Sequence, residues 1–454
     1  MKSLIMSASG TRGIVGENLH PKIALTIGMA FGSMSHRGTV IVGGDTRTSH
    51  DMLKSATIAG LLAVGVDVID IGKVPTPTVQ QLIRHYNAFG GIVITASHNP
   101  VIWNGLKLMN ATGSFFEADE YDRFMELYTS ENFRLATWEE QGKLHIEPHA
   151  LHIHIDKILS VLDVTSIQNS GLRVLIDPNN GAGTQADHLL LQKLNVQFDI
   201  LNNEPNGKFA HDPEPLKKNL SGIINALEKG GYDIGFVQDA DADRLVILDE
   251  FGRFIGEDYS LGLCIDYILS QDTSQDRQVV VNLSTSQVIE DIANRHLATT
   301  HYTKIGETHV TQGIKQRQAV VGGEGNGGVI YPKVGWGRDS LVGIVIALKY
   351  LAESKKSVSQ IVASYPNYVM LREKITLPDR EQLSALLVTI ESLFPKATIN
   401  HKDGVKLSFD QCWVHVRPSN TEPIVRIFIE APSLDEATVL WNKVEEALAP
   451  TTSK

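Results

Sequence analysis

Short apolar runs that break off into polar loops recur along this chain, and they restrict its fold more than any other feature. Gly91-Ile92-Val93-Ile94 runs into Thr95-Ala96-Ser97-His98-Asn99-Pro100, and Ile234-Gly235-Phe236-Val237 runs into Gln238 and Asp239-Ala240-Asp241-Ala242-Asp243-Arg244. Runs this short and apolar read as buried strands. Around the first lie helical patterns at 21–34, 49–64 and 76–86, alternating with strand patterns at 39–42 and 66–71. Such alternation predicts a mostly parallel sheet with helices on both faces. The pattern restarts near Leu151, with strands at 173–176 and 197–200 around a helix at 185–194. It restarts again near Asp258, with helices at 261–269 and 286–296 around a strand at 278–281. From about Tyr365 it changes to strand, helix, strands at 404–408, 412–416 and 424–429, then a helix at 434–448. That is an α+β unit with an antiparallel sheet. A chain of 454 residues also exceeds a single core and implies roughly two to four domains.

Four loops carry groups with chemistry. A Ser past the C-terminal edge of an α/β sheet stands where open sheets bind ligands, and Pro100 disfavours helix at Asn99, which keeps Ser97 on a loop. Its hydroxyl is either a nucleophile or phosphate carrier, or part of a Ser/Asn turn. Asp239, Asp241 and Asp243 pack three carboxylates into five residues. At roughly 4–5 Å each like-charge pair costs about 1 kcal/mol even in water. A divalent cation removes that repulsion, and Mg²⁺ takes oxygen ligands of this kind. In an extended loop, residues two apart project to one side, so the three are expected to converge by alternation. A Ca²⁺ loop of the EF-hand type fails, because its Gly and terminal Glu are missing. Gly322-Gly323-Glu324-Gly325-Asn326-Gly327-Gly328 offers Glu324 and Asn326 to sugar hydroxyls from a backbone that allows close approach, or else is a flexible loop. Arg417-Pro418-Ser419-Asn420-Thr421-Glu422-Pro423, between two strand patterns, reads as a phosphate cradle or an ordinary hairpin loop.

In order and wording these loops resemble the α-D-phosphohexomutases, the superfamily of phosphoglucomutase, phosphomannomutase and phosphoglucosamine mutase. Ser9-Gly10-Thr11-Arg12-Gly13, Gly44-Asp45-Thr46-Arg47 and Asn104-Gly105-Leu106-Lys107 extend the resemblance through the first part of the chain. Asn206-Gly207-Lys208-Phe209 and His211-Asp212-Pro213-Glu214-Pro215 extend it through the middle. The resemblance implies three similar mixed, mostly parallel α/β domains at 1–150, 151–256 and 257–366. It adds a C-terminal α+β domain with an antiparallel sheet at 367–454, all around a central cleft. It implies that Ser97 carries a phosphoryl group and donates it to a hexose phosphate. The resulting bisphosphorylated hexose, which also primes the enzyme, returns its other phosphate, so that phosphate moves between O6 and O1. Mg²⁺ is implied on Asp239, Asp241, Asp243 and a phosphoserine oxygen of Ser97. His98, Arg12 and Arg244 are implied around the transferred group, with Lys107 in proton transfer if the cleft depresses its pKa. Glu324 and Asn326 are assigned to the sugar hydroxyls, Arg417, Ser419, Asn420 and Thr421 to the distal phosphate, and Lys304 and Arg426 to substrate binding. Turning the intermediate over implies hinge closure near residues 365–372.

The chain departs from the commonest pattern in two loops. The sugar loop often reads Gly-Glu-x-Ser-Gly-His, but Asn326 and Gly328 stand here for the Ser and the His. Asn420 stands where the phosphate loop often has Gly. These variants resemble a branch labelled phosphoglucosamine mutase or phosphomannomutase, and glucosamine 6-phosphate is the favoured sugar, with mannose and glucose phosphates as alternatives. A sugar phosphatase would need a dedicated base for water, and a non-catalytic binder would be expected to lose Ser97 or a metal-loop Asp.

Charge sets limits on partners. With 41 basic against 52 acidic residues the net charge is −11, which argues against nucleic acid or an anionic membrane and favours simple solubility; the small phosphosugar is the partner that the resemblance implies. Positive potential must then be local, with Arg12, Arg47, Lys107, Arg244, Lys304, Arg338, Arg417 and Arg426 as candidates. Cys264 and Cys412 read as buried thiols. The absence of a signal-like start and of any 18-residue apolar run makes a cytoplasmic protein, monomer or homodimer, the expectation.

Overall fold

The computed structural model describes residues 4–35, 37–376, 381–418 and 424–452. Four sheets follow one another along the chain. The first has seven strands, in the order Ile5–Ser7, Gly10–Ile14, Trp103–Asn110, Gly90–Ile94, Thr39–Gly44, Asp67–Lys73 and Leu144–Ile146. Thr39–Gly44 is parallel to both neighbours, and Asp67–Lys73 to Leu144–Ile146, while the remaining pairs are antiparallel. The antiparallel half arises because the chain beyond Ser97 turns straight back, pairing Ile94 with Leu106.

The second sheet runs Leu245–Leu248, Ile234–Gln238, Arg173–Asp177 and Gln197–Ile200. The third runs Thr299–Thr303, Gln278–Asn282, Val321–Glu324 and Gly328–Ile330. Each carries one antiparallel edge strand on a parallel core. The fourth, from Val369–Thr376 through Ile424–Ala431, Cys412–Pro418 and Val405–Phe409 to Thr398–Asn400, is antiparallel throughout.

Strands apolar on both faces demand cover on both, and the first sheet has a separate apolar cluster on each side. The second and third sheets share one continuous core, from Ile155 through Phe236, Leu261 and Val281 to Tyr365. The fourth is covered by the helices Glu381–Leu393 and Leu434–Thr452. Its other residues are therefore available to the neighbouring unit. His415 Nδ1 lies 2.9 Å from Ser284 Oγ, and Glu430 accepts from the Gln287 amide.

Two local expectations change. Cys264 is buried, but Cys412 is only half-buried, because it opens its strand at the sheet margin; both are free thiols. The Gly-rich stretch is a β-hairpin pairing Glu324 with Gly328, not a loop throughout. Its three-residue tip places Gly327 at φ +86, a conformation glycine adopts without cost. Among the described residues no helix is long and apolar enough to cross a membrane.

Candidate active site

Ser97 stands on a tightly held turn. Its φ is +50, unusual for a residue with a side chain, so the surroundings must enforce it. The fully buried Arg47 does so, donating to the carbonyls of Ser97 and Asn99 at 2.6 Å each, and to those of Pro100 and Trp103 at 2.9 and 2.8 Å. Its own charge is paired with Asp45 at 3.1 Å. Arg47 is thus a clamp on the Ser loop, not one of the free cations that charge counting suggests. The Ser97 amide donates to Thr95 Oγ1, and its hydroxyl donates to Asp239 Oδ2 at 2.9 Å, across from one sheet to the next.

Asp239, Asp241 and Asp243 do converge: all are buried, with one oxygen of each within 4.8 Å of the others. The route is not the alternation of an extended loop. The segment is a turn, with Ala242 at φ +54 and the Asp243 and Arg244 amides both donating to Asp239 Oδ1. Burial and the other two carboxylates push the Asp239 pKa well above the usual range. Asp241 Oδ2 accepts from Thr76 Oγ1 at 2.6 Å and Lys107 Nζ at 2.5 Å, while Asp243 Oδ2 accepts from Lys107 at 3.1 Å and Arg338 at 2.8 Å. Asp241 Oδ1 and Asp243 Oδ1 are buried with no hydrogen-bond partner. A buried acceptor left bare is costly. Three clustered carboxylates, two of them with an oxygen free of hydrogen bonds, fit a hard divalent cation such as Mg²⁺.

Lys107 differs from expectation. Burial alone would lower its pKa, but Asp241 and Asp243 outweigh burial and raise it. Lys107 is therefore a paired cation, not a poised base. His98 is the group whose pKa is held well below normal, by the Arg244 guanidinium and by burial. Its Nδ1 accepts from Arg244 at 2.9 Å. Arg12 donates to Asn99 Oδ1 and, with His98 and Arg244, lines a cleft of about 670 Å³.

That cleft draws on all four sheet units. Glu324 and Asn326 reach it from the hairpin, and Asn282 Nδ2 and the Gly306 amide donate to Glu324 Oε1. Arg417 and Arg426 reach it from adjacent strands, directly opposite each other in register. Lys374 also lines it and pairs in register with Arg426, so three cations cross three neighbouring strands in one row. The sequence reading missed Lys374 and Arg372, also in the cleft wall; their i, i+2 spacing on one strand was a signal, but only sheet register sets them beside Arg426. Lys304 is exposed, next to the cleft-lining Ile305. Ser419, Asn420 and Thr421 lie outside the described residues.

Comparison with known proteins now bears on this arrangement. Models of the phosphoglucomutase/phosphomannomutase family match in series: α/β/α domain I at residues 3–135, domain II at 152–252, domain III at 256–368 and the C-terminal domain at 374–447. A phosphoglucomutase/phosphomannomutase of Thermococcus kodakarensis is 39% identical over 94% of both chains. A probable phosphoglucosamine mutase of Methanopyrus kandleri is 36% identical over 95% of both. The crystal structure of a phosphoglucomutase/phosphomannomutase family protein from Burkholderia thailandensis superposes with a TM-score of 0.86, at 25% identity and 99% coverage of both chains. Matched through all four domains, this chain belongs to the phosphoglucomutase/phosphomannomutase family of the α-D-phosphohexomutase superfamily and is a phosphomutase, an enzyme of the isomerase class.

Proposed function

We propose that this phosphomutase moves phosphate between O6 and O1 of a hexose through Ser97, with glucosamine 6-phosphate as its preferred sugar. The observation that carries the reading is the Ser97 hydroxyl held 2.9 Å from Asp239, in a cluster where two carboxylate oxygens are buried without a hydrogen bond. Asp239, Asp241 and Asp243 would hold Mg²⁺ together with a phosphoryl oxygen on Ser97, and when bound it neutralises charge on the transferring group. The chain's own residues do the rest. In the forward half-reaction the bond from Ser97 Oγ to phosphorus breaks as a sugar hydroxyl bonds to the same phosphorus, and the hydroxyl's proton ends on Ser97 Oγ. In the return half-reaction the other phosphate re-forms the serine ester. Such transfer needs positioning and fixed charge above all. Arg12 and Arg244 supply charge from the cleft side, and His98, kept neutral, orients Arg244. Lys107 balances Asp241 and Asp243 from behind.

At the far end Glu324 and Asn326 hold sugar hydroxyls. Arg417 and Arg426, with Ser419, Asn420, Thr421 and the neighbouring Lys374, hold the phosphate that is not reacting. Lys304, at the cleft margin, joins the ligand when the fourth domain closes about residues 365–372. The domains are taken as 1–150, 151–256, 257–366 and 367–454. Relatives named as probable phosphoglucosamine mutases support the choice of sugar.

The test is kcat/KM for glucosamine 6-phosphate, mannose 1-phosphate and glucose 1-phosphate, with Mg²⁺ and a trace of the matching bisphosphate. The glucosamine ester should be converted fastest. Preference for another sugar overturns the substrate, and no conversion of any of the three overturns the reading.

A further inference from the structure

Gly328 opens the second strand of the sugar hairpin, and it is glycine for reasons of space. A Cβ built on it would lie 2.2 Å from Arg338 Cδ and 2.7 Å from Arg338 Cγ. The Arg338 side chain therefore passes directly over the hairpin backbone, in the room that a side chain at 328 would fill. This is the position where the related pattern carries His.

The guanidinium beyond that crossing is buried, 7% exposed, among three carboxylates from three separate elements. Nη2 donates to Asp243 Oδ2 at 2.8 Å and Nε to Glu307 Oε2 at 2.8 Å. Nη1 lies 3.3 Å from Glu324 Oε2, an ion pair without a hydrogen bond. Its own backbone is fixed, because the next residue, Asp339, caps the helix Ser340–Ser354 and pairs with His154 Nε2 at 2.9 Å. The two loops it joins also touch directly, the Leu245 amide donating to Gly327 O.

We propose that Arg338 is a positioning residue for phosphoryl transfer: it ties the metal-loop Asp243 to the sugar-reading Glu324 in one rigid frame, and Gly328 is the opening that admits it. The inference rests on the reading of Asp243 as a metal ligand and Glu324 as a sugar contact. A planar guanidinium with fixed donor directions and a permanent charge can hold separate carboxylates at set angles. The hydroxyl gripped at the hairpin is thereby held at a set distance from Ser97. Reactions of bound groups are sensitive to misplacement of about 1 Å.

Arg338→Met, Arg338→Lys, Gly328→Ala and the double variant Gly328→Ala/Arg338→Met test this. Mn²⁺ affinity of the dephosphorylated protein is measured by calorimetry with MnCl₂, beside kcat, KM and Tm. Arg338→Met is expected to weaken Mn²⁺ binding and lower kcat by about 10- to 100-fold each, as loss of an outer-shell partner does, with KM little changed. Arg338→Lys recovers part of both, since an ammonium keeps the charge without the fork. Gly328→Ala alters no charge but displaces the guanidinium, so it shifts both quantities the same way, and the double variant is no worse than Arg338→Met. A fall in Tm with Mn²⁺ affinity and kcat unchanged reduces Arg338 to packing and overturns the proposal. Fully additive losses in the double variant overturn the link to Gly328. If the wild-type protein converts no sugar yet Arg338→Met still weakens Mn²⁺ binding, the mutase reading fails and the frame stands; if the wild-type protein binds no Mn²⁺, the frame fails with the metal reading.

Discussion

The two ends of the cleft are built on opposite terms. At the Ser97 end most charged groups are buried and tied to several partners: the three Asp are fully buried, Lys107 bridges two of them, and Arg47 alone makes four bonds to the backbone of the Ser loop, while Arg12 and Arg244 are half-buried on the cleft side. At the other end Lys374 and Arg426 are exposed, and the row they form ends in Arg417, which is buried and paired with Asp403 at 3.3 Å. The contrast fits the reaction proposed above. A phosphoryl group in flight has one geometry, and preorganised charge in a dry site stabilises it most. In that scheme the resting phosphate is accepted in two orientations of the intermediate, which the exposed, long-chain Lys374 and Arg426 would tolerate.

The sharpest break of this contrast comes at the buried end. Ser97→Ala should lower turnover on the order of 10⁴-fold or more, as loss of a nucleophile does, while calorimetry still detects sugar phosphate binding. Near-normal turnover would remove the phosphoserine from the scheme. At the open end, Arg417→Met and Lys374→Met should each raise KM about 10-fold, the worth of a charge-assisted contact of roughly 1.4 kcal/mol, and leave kcat within a small factor. Their effect should shrink in high salt. A fall in kcat with KM unchanged would instead make these cations part of the chemical end.

Stability against pH separates the ends differently. Burial holds His415, at the contact between the third and fourth domains, at a pKa of about 4, against an ordinary 6.5. The folded state binds fewer protons than the unfolded chain between these values, so stability is full above pH 6.5 and is lost as pH falls towards 4. The span is worth up to about 3 kcal/mol. His415→Gln should flatten denaturation midpoints across that window, and an unchanged slope would assign the loss to other groups, such as the equally depressed His50. The smallest effect is expected at the cleft margin, where Lys304→Met should raise KM only about 3-fold, in the range of an exposed ion pair. No change at all would leave Lys304 outside the closed site.

Much of this site could be read in advance because its residues sit in continuous strings. Ser97 and His98 share one loop, the three Asp another, and Glu324 and Asn326 a third, each next to an apolar strand whose end is easily recognised. Reading failed where a residue's role depends on what packs against it. Arg47 looks like any other cation in a polar loop, yet the carbonyls around it make it structural. Lys107 was assigned to proton transfer on condition that the cleft depress its pKa, but the carboxylates facing it, from a segment more than a hundred residues away, raise it instead. The convergence of the Asp cluster was foreseen by the wrong route, because one left-handed residue, Ala242, turns the loop that alternation would have extended.

The chain's own order thus determined the strand and helix pattern, the change to an antiparallel sheet near its end, and the identity of the candidate groups on the loops around the cleft. These are local properties, set by side-chain periodicity and by the nearest few residues. Tertiary structure alone decided the pairing of Lys374, Arg426 and Arg417 across three strands and the passage of Arg338 over Gly328 between two loops. Sheet register and close packing bring together residues far apart in sequence, and the charge state and function of each follow from those neighbours.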